Sequence, residues 1–191
     1  MQNVLIISGH PNINESIGNA TILDEVAKAL PETKIRFLDA LYPDYQIDVT
    51  KEQEALLNAD VIVWQFPFSW YSVPGLMKLW IDRVFVHGFA HGSTAKLGGK
   101  KLLLSFTAGA PESLYSPEGL FGHDIQQYLA QFETLAVLCN LDMLEPVYTF
   151  GLSYAGRDEA RVREQIIQAK DHARRLITAI KNNAPALKMA V

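Results

Sequence analysis

With 191 residues, 49% of them hydrophobic and 20% charged, the chain has the size and composition of one globular domain. Its net charge of −4 and pI near 5.7 give it no basic footprint, so nucleic acid is not an expected partner. A single cysteine, Cys139, excludes an internal disulfide framework, and neither a signal peptide nor an apolar run of about 20 residues is recognisable, so we expect the cytoplasm.

Strand-like and helix-like segments alternate along the chain. The first is the continuous apolar run Val4–Ser8, which is typical of a strand buried on both faces. A helical apolar pattern from Ile17 to Leu30 follows and ends at Pro31. The remaining predicted strands are Lys34–Asp39, Asp60–Gln65, Lys101–Thr107 and Leu144–Phe150. The remaining predicted helices are Glu52–Leu57, a helix from Pro74 to Phe85, Ile125–Leu141 and Asp158–Asn182.

This alternation predicts an α/β fold in three layers, with a doubly wound five-stranded parallel sheet between helices. Five strands in a chain of this length favour the flavodoxin-like strand order 2-1-3-4-5. Pro146 indicates that the last strand lies at an edge. We expect one domain over residues 1–183 and a flexible tail over residues 184–191. In this strand order a ligand lies where strands 1 and 3 diverge, which brings together the loops after strands 1, 3 and 4.

The first of these loops joins strand 1 to the first helix. It lacks both the Gly-x-Gly-x-x-Gly dinucleotide fingerprint and the Gly-Lys-Ser/Thr phosphate loop, so neither a simple NAD fold nor an NTPase is indicated. The N-terminus of a helix is nevertheless a ready anion site. Ser16, Asn19 and His10 could add donors to a phosphate monoester there. Ser16 is equally explained as a helix cap.

The second loop is an aromatic turn, Phe66-Pro67-Phe68-Ser69-Trp70-Tyr71. Aromatic side chains crowded into a turn favour a planar ligand, whereas burial in the hydrophobic core is the alternative. The third loop, Thr107-Ala108-Gly109-Ala110-Pro111, would let backbone approach a ligand closely, although a turn without a ligand explains Gly109 too. A phosphate site beside an aromatic slot fits a flavin better than a nicotinamide or a nucleoside triphosphate.

Motifs along almost the whole chain resemble the NAD(P)H:quinone oxidoreductase family of flavodoxin-like proteins. The similarity is strongest to the bacterial ancillary flavoproteins of glutathione-gated potassium efflux. The segments that carry it are His10-Pro11, Ser16-x-x-Asn19, Leu41-Tyr42-Pro43-Asp44, Glu52-Gln53-Glu54-Ala55-Leu56, Trp64-Gln65-x-Pro67, Trp70-Tyr71-Ser72-x-Pro74, Leu79 to Phe85, His87-Gly88-Phe89-Ala90 and Thr107-x-Gly109.

The resemblance implies non-covalently bound FMN, with FAD as an alternative, in a homodimer that carries a hydride from NAD(P)H through the flavin to a quinone. It implies contacts to the flavin phosphate from His10, Ser16, Ile17, Gly18 and Asn19. It places the ring between two further segments, Pro67-Phe68-Ser69-Trp70-Tyr71 and Thr107-Ala108-Gly109-Ala110.

The resemblance also assigns a catalytic role to Tyr115. In the animal enzymes a His follows this Tyr by six residues, but Phe121 stands there in this chain, and His123 could substitute for it. The family's usual Thr-Thr-Gly-Gly is Thr-Ala-Gly-Ala here, which removes one hydroxyl near the flavin.

A second function implied by the resemblance is that of a regulatory subunit on a potassium-efflux transporter, with the reductase activity secondary. No metal site is expected. His87 and His91 have helical metal spacing, but Gly88 and Gly92 favour a loop.

Overall fold

A computed structural model describes residues 3–183, so the predicted tail at 184–191 lies outside the described residues. The strands are β1 (Val4–Ser8), β2 (Lys34–Phe37), β3 (Val61–Pro67), β4 (Lys101–Thr107), β5 (Asp142–Met143) and β6 (Val147–Thr149). The α-helices are α1 (Gly18–Ala29), α2 (Leu38–Leu41), α3 (Val49–Leu57), α4 (Gly75–Val84), α5 (Ile125–Leu138) and α6 (Glu159–Asn182). No helix within residues 3–183 is long and apolar enough to cross a membrane.

The strands form one parallel sheet in the order β2-β1-β3-β4-β5, with β6 also paired to β4. The predicted fold class and strand order are therefore confirmed. The predicted single strand Leu144–Phe150 is wrong, because two short strands share this edge. Pro146 stands between them and has no N–H to continue the ladder.

The helix predicted to reach Leu141 ends at Leu138. Asn140 has φ 53°, and two bonds close the last turn, from Asn140 N to Val137 O and from Leu141 N to Ala136 O. This pattern is the Schellman motif, in which a left-handed residue satisfies the last carbonyls. Asn is common at the left-handed residue that ends a helix, so Asn140 marked this helix end, which the apolar periodicity alone did not show.

The strand residues alternate between two apolar cores. Ile62, Trp64 and Phe66 of β3 face one core, built with α3, α4 and α5. Val61 and Val63 face the other, built with α1 and α6. Along this second face the apolar residues give way to polar ones at the carboxyl ends of the strands, where Gln65 and other polar side chains are buried.

Candidate functional site

The loops after β1, β3 and β4 meet in one cavity of about 440 Å³ at the carboxyl edge of the sheet. The register explains the meeting, because Ser8 pairs with Gln65 and Pro67 pairs with Thr107. The predicted site residues that line the cavity are His10, Ser16, Gly18, Asn19, Pro67, Phe68, Ser69, Trp70, Thr107 and Gly109. A volume of this size lies in the range that small-molecule and cofactor sites occupy.

The first loop presents the N-terminus of α1 to the cavity. Among the described residues, the backbone N–H groups of Ile17 and Gly18 have no acceptor. The Ser16 hydroxyl accepts from Asn19 N at 3.0 Å, so Ser16 is a helix cap, while its own proton stays free to be donated. Free N–H groups at the positive end of a helix suit an anion.

His10 lies at the rim of this anion site, half-buried. Its Nδ1 accepts from Asn12 N at 3.1 Å, so in the neutral ring the proton is on Nε2, which is left as a donor. Burial lowers the pKa of His10 below its ordinary value, against smaller opposing effects from the Asn12 bond and from Asp39 and Glu15. His10 therefore acts as a neutral donor at neutral pH.

The aromatic turn divides between core and cavity. Phe68 is buried, with its ring centroid 5.1 Å from that of Phe106, so its side chain belongs to the core. Trp70 lines the cavity with 91% of its surface exposed. Trp70 and Tyr71 both have left-handed backbones, with φ 48° and 65°. An indole that is exposed and held on a strained backbone is a candidate wall for a planar ligand.

Parts of the predicted ring contact do not line the cavity. Tyr71 packs instead on Tyr128, with ring centroids 5.4 Å apart. The two alanines of the third loop are also turned to other partners, since Ala108 N donates to Thr149 O and Ala110 O accepts from Gly151 N. Ile17 lies at the helix start outside the lining as well. Only Thr107 and Gly109 of the third loop reach the cavity.

Tyr115, the predicted catalytic residue, is buried in an aromatic cluster rather than in the cavity lining. Its ring centroid lies 4.9 Å from that of Phe150 and 5.1 Å from that of Phe121. Burial raises the pKa of its phenol, so it stays protonated at neutral pH. His123 lies against Tyr128, with centroids 5.9 Å apart, and does not join Tyr115. The role of Tyr115 stays a prediction.

One wall of the cavity comes from residues that sequence reasoning did not assign to it: Leu152, Ser153, Tyr154, Arg157 and, from the first loop, Glu15. This segment follows β6 and lies over the third loop, because Leu152 N donates to Ala108 O. Arg157 Nε donates to Ser153 O at 3.2 Å and to the buried Gln165 at 3.0 Å. Arg157 therefore supplies a positive charge beside the cavity, held in place by these two bonds.

A buried polar chain lies beneath the cavity, between the sheet and helices α1 and α6. Asn19 donates to the Thr107 hydroxyl at 3.0 Å and accepts from Gln65 at 2.8 Å. The Ser105 hydroxyl donates to Gln65 and contacts His172 Nε2 at 2.8 Å. The Asn19 side chain is thus committed to this chain, so only its second amide proton is left for a phosphate.

The candidate cofactor is a flavin. Among the described residues, no group of three or more His, Cys, Asp or Glu side chains could hold a metal ion. The cavity does provide an anion site next to an exposed indole, which matches a phosphate ester joined to a flat ring.

A family model described as flavodoxin-like fold matches residues 2–173. The chain is 32% identical to general stress protein 14 of Treponema denticola, crystallised with FMN, with a TM-score of 0.82 over 94% of this chain and 99% of that one. It is 35% identical to a structure described as a thermophilic tryptophan halogenase from Streptomycin violaceusniger, with a TM-score of 0.78 over 88% and 97%. It is 25% identical to a Klebsiella pneumoniae protein proposed to be a quinone reductase, with a TM-score of 0.74 over 93% and 85%.

Proposed function

The chain belongs to the flavodoxin-like family, and on that premise we propose that it is an FMN-dependent NAD(P)H:quinone oxidoreductase. In the proposed reaction NAD(P)H, a quinone and one proton give NAD(P)⁺ and the hydroquinone. The observation that carries the proposal is the meeting of a free helix N-terminus and an exposed indole in one cavity. The FMN complex of a relative at 32% identity supports the cofactor.

The first loop holds the phosphate end of the cofactor in this proposal. The Gly18 N–H, the Ser16 hydroxyl and the Nε2 proton of His10 come from residues that line the cavity and are donors without protein acceptors among the described residues. Since His10 is neutral, the charge of a phosphate is met by the helix dipole and by Arg157. FAD would need room for an adenylate beyond this loop.

The aromatic turn orients the ring. Trp70 supplies one flat face, and its strained backbone is held by a tight turn in which Ser72 N donates to Ser69 O at 3.1 Å. On the other side Thr107 and Gly109 approach the cavity. When bound between these residues, FMN would supply the two-electron redox chemistry that links NAD(P)H to the acceptor. The protein's own part is to bind, to orient and to exclude water.

The names of the similar structures differ, and fold similarity alone does not fix a reaction. We favour a quinone because the motifs that resemble quinone oxidoreductases extend along almost the whole chain, and one similar structure, at 25% identity, is described as a quinone reductase. NADH and NADPH are both compatible with Arg157.

A homodimer is part of the proposal, as is a cytoplasmic location. Large apolar side chains are exposed outside the cavity, among them Leu120 at 81% and Val137 at 81%. A second copy would cover some of these residues. Light scattering tests this, because a monomer with full activity at micromolar concentration would contradict it.

The transporter-subunit hypothesis rests on resemblance alone, and co-purification from membranes with a transporter would test it.

The test of the reaction is anaerobic mixing of the FMN-loaded protein with NADH or NADPH, followed by a quinone. We expect bleaching of the flavin absorbance by the nicotinamide and its full return with one equivalent of quinone. If the nicotinamide bleaches the flavin absorbance but the quinone does not restore it, the protein is a flavin reductase whose acceptor is not a quinone. No bleaching with either nicotinamide would contradict the proposal.

A further inference from the structure

The buried polar chain beneath the cavity continues beyond His172 to the edge of the sheet at β6, on the same face as α6. His172 Nδ1 lies 2.9 Å from the Thr149 hydroxyl, which accepts from the Arg175 guanidinium at 2.7 Å. Arg175, on α6, is partly exposed, whereas His172 is fully buried. A continuous series of hydrogen bonds thus joins Arg175 to Thr107 through side chains of three strands and two helices.

Arg175, at the outer end of this series, favours one direction for the hydrogen bonds along it. A guanidinium can only donate, so the Thr149 oxygen accepts from Arg175 and its proton is available for His172 Nδ1. The imidazole proton then lies on Nε2 and is donated to Ser105. Ser105 in turn must donate to Gln65 Oε1, which leaves the Gln65 amide nitrogen facing Asn19.

The last member of the series is Thr107. Its oxygen accepts from Asn19 Nδ2, so its own proton is left over, and no acceptor for that proton is present among the described residues. Thr107 lines the cavity. Its hydroxyl is therefore committed to donate to whatever occupies the cavity.

A reversed arrangement is the alternative. If His172 carried its proton on Nδ1, Ser105 would donate to the ring, both amides would turn over, and Thr107 would donate to Asn19. Thr149 would then receive two donors and its own proton would lose its partner. A charged imidazole is disfavoured as well, because burial and Arg175 lower the pKa of His172 to about 3.

We propose that Thr149, His172, Ser105, Gln65 and Asn19 form a positioning relay that fixes the Thr107 hydroxyl as a hydrogen-bond donor to the flavin ring. The inference rests on the proposed function, since it takes the flavin as the occupant of the cavity. His172 and Thr149 are positioning residues in it, because neither lines the cavity.

A donor to the edge of the ring stabilises the two-electron-reduced flavin more than the oxidised flavin, because the reduced ring carries more negative charge. Loss of a committed donor should weaken this preference by roughly tenfold. For a two-electron couple that is a fall in midpoint potential of about 30 mV.

The test compares Thr149→Val with Thr149→Ser. Valine keeps the shape but removes the hydroxyl that selects the His172 tautomer, whereas serine keeps the hydroxyl. We expect a lowered midpoint potential of bound FMN and a changed flavin spectrum for Thr149→Val, with Thr149→Ser close to the unaltered protein. A merely structural role of Thr149 would lower thermal stability without moving the potential.

A double-mutant cycle with Thr107→Val shows whether the effect passes along the relay. Thr149→Val should shift the potential in the unaltered chain and add nothing once Thr107 has been replaced. An equal shift in both backgrounds, or no shift in either, overturns the relay.

The direction of the relay is measured separately on the protein without flavin, by nitrogen-15 NMR of labelled histidine. A proton on Nε2 of His172 supports the relay, and a proton on Nδ1 overturns it. If the unaltered protein binds no FMN, the proposed function fails, and the NMR result alone decides whether the Thr107 hydroxyl is a committed donor.

Discussion

Replacing Trp70 separates ligand binding from folding at the aromatic turn. With 91% of its surface exposed, the side chain hides only about 20 Å² of the roughly 250 Å² that a tryptophan presents, which is worth about 0.5 kcal/mol. Its left-handed backbone, with φ 48°, costs about 1 kcal/mol for any residue with a Cβ. We therefore expect Trp70→Ala to lower the free energy of unfolding of the apoprotein by only about 0.5 kcal/mol.

Trp70→Gly also removes the backbone strain, while glycine adds freedom to the unfolded chain worth about 0.5–1 kcal/mol. These effects nearly cancel, so its stability should lie within about 1 kcal/mol of the unaltered protein. Both variants lose the flat wall of the cavity. A lost aromatic stack of about 1.5 kcal/mol corresponds to FMN affinity about tenfold weaker.

Urea unfolding of the apoprotein and fluorescence titration with FMN measure the two effects. Tyr45→Gly is the matched control, since Tyr45 also has a left-handed backbone (φ 63°) and an exposed ring but does not line the cavity. It should leave FMN affinity unchanged. Undiminished FMN affinity in Trp70→Ala, or a stability loss above about 2 kcal/mol, would refute the account of this residue.

Three other predictions concern stability and reactivity. Burial lowers the pKa of His172 to about 3 in the folded protein, whereas the unfolded chain has the ordinary histidine pKa of 6.5. Because the unfolded chain therefore binds an extra proton between these values, the urea midpoint should fall as the pH drops from 6.5 towards 3. The fall should be less steep in His172→Gln. Glu52 is fully buried and accepts hydrogen bonds from Arg36, Tyr42 and Trp80. Glu52→Leu leaves Arg36 unpaired, so it should lower the free energy of unfolding by about 3–5 kcal/mol. A loss below about 1 kcal/mol would contradict the role of this ion pair. Cys139 is buried, which raises the pKa of its thiol, so a thiol reagent should label it only after denaturant is added, and rapid labelling of the native protein would contradict its burial.

The parallel α/β class followed from the alternation of apolar segments, because that pattern is set by local periodicity. The strand order was favoured by the presence of five strands in a chain of this length. The split of the last strand into β5 and β6 followed from neither, although Pro146 marked the place. A proline predicts a missing hydrogen bond, but whether pairing resumes beyond it depends on how far β4 extends alongside.

Local sequence was also sufficient to find the loops of the site, since their residues are unusual where they stand. It could not locate Arg157, which reaches the cavity only because the segment after β6 lies over the third loop. Burial is the other property that sequence left open. Phe68 and Trp70 are both aromatic residues of one turn, yet the first is in the core and the second is exposed.

The buried polar chain was missed for the same reason. Gln65, Ser105 and His172 are far apart in sequence, and each is a single polar residue within an otherwise apolar segment. Their hydrogen bonds exist only because β3, β4 and α6 bring them together on one face of the sheet.

The measurement that tests the central claim most directly is the identity of the cofactor. The protein would be purified, its visible spectrum recorded, and any released flavin identified by chromatography, with added FMN titrated into protein that is obtained colourless. We predict a yellow protein that releases FMN, or a colourless one that binds FMN stoichiometrically. A colourless protein that also fails to bind added FMN would contradict the assignment of this cavity and the oxidoreductase function with it.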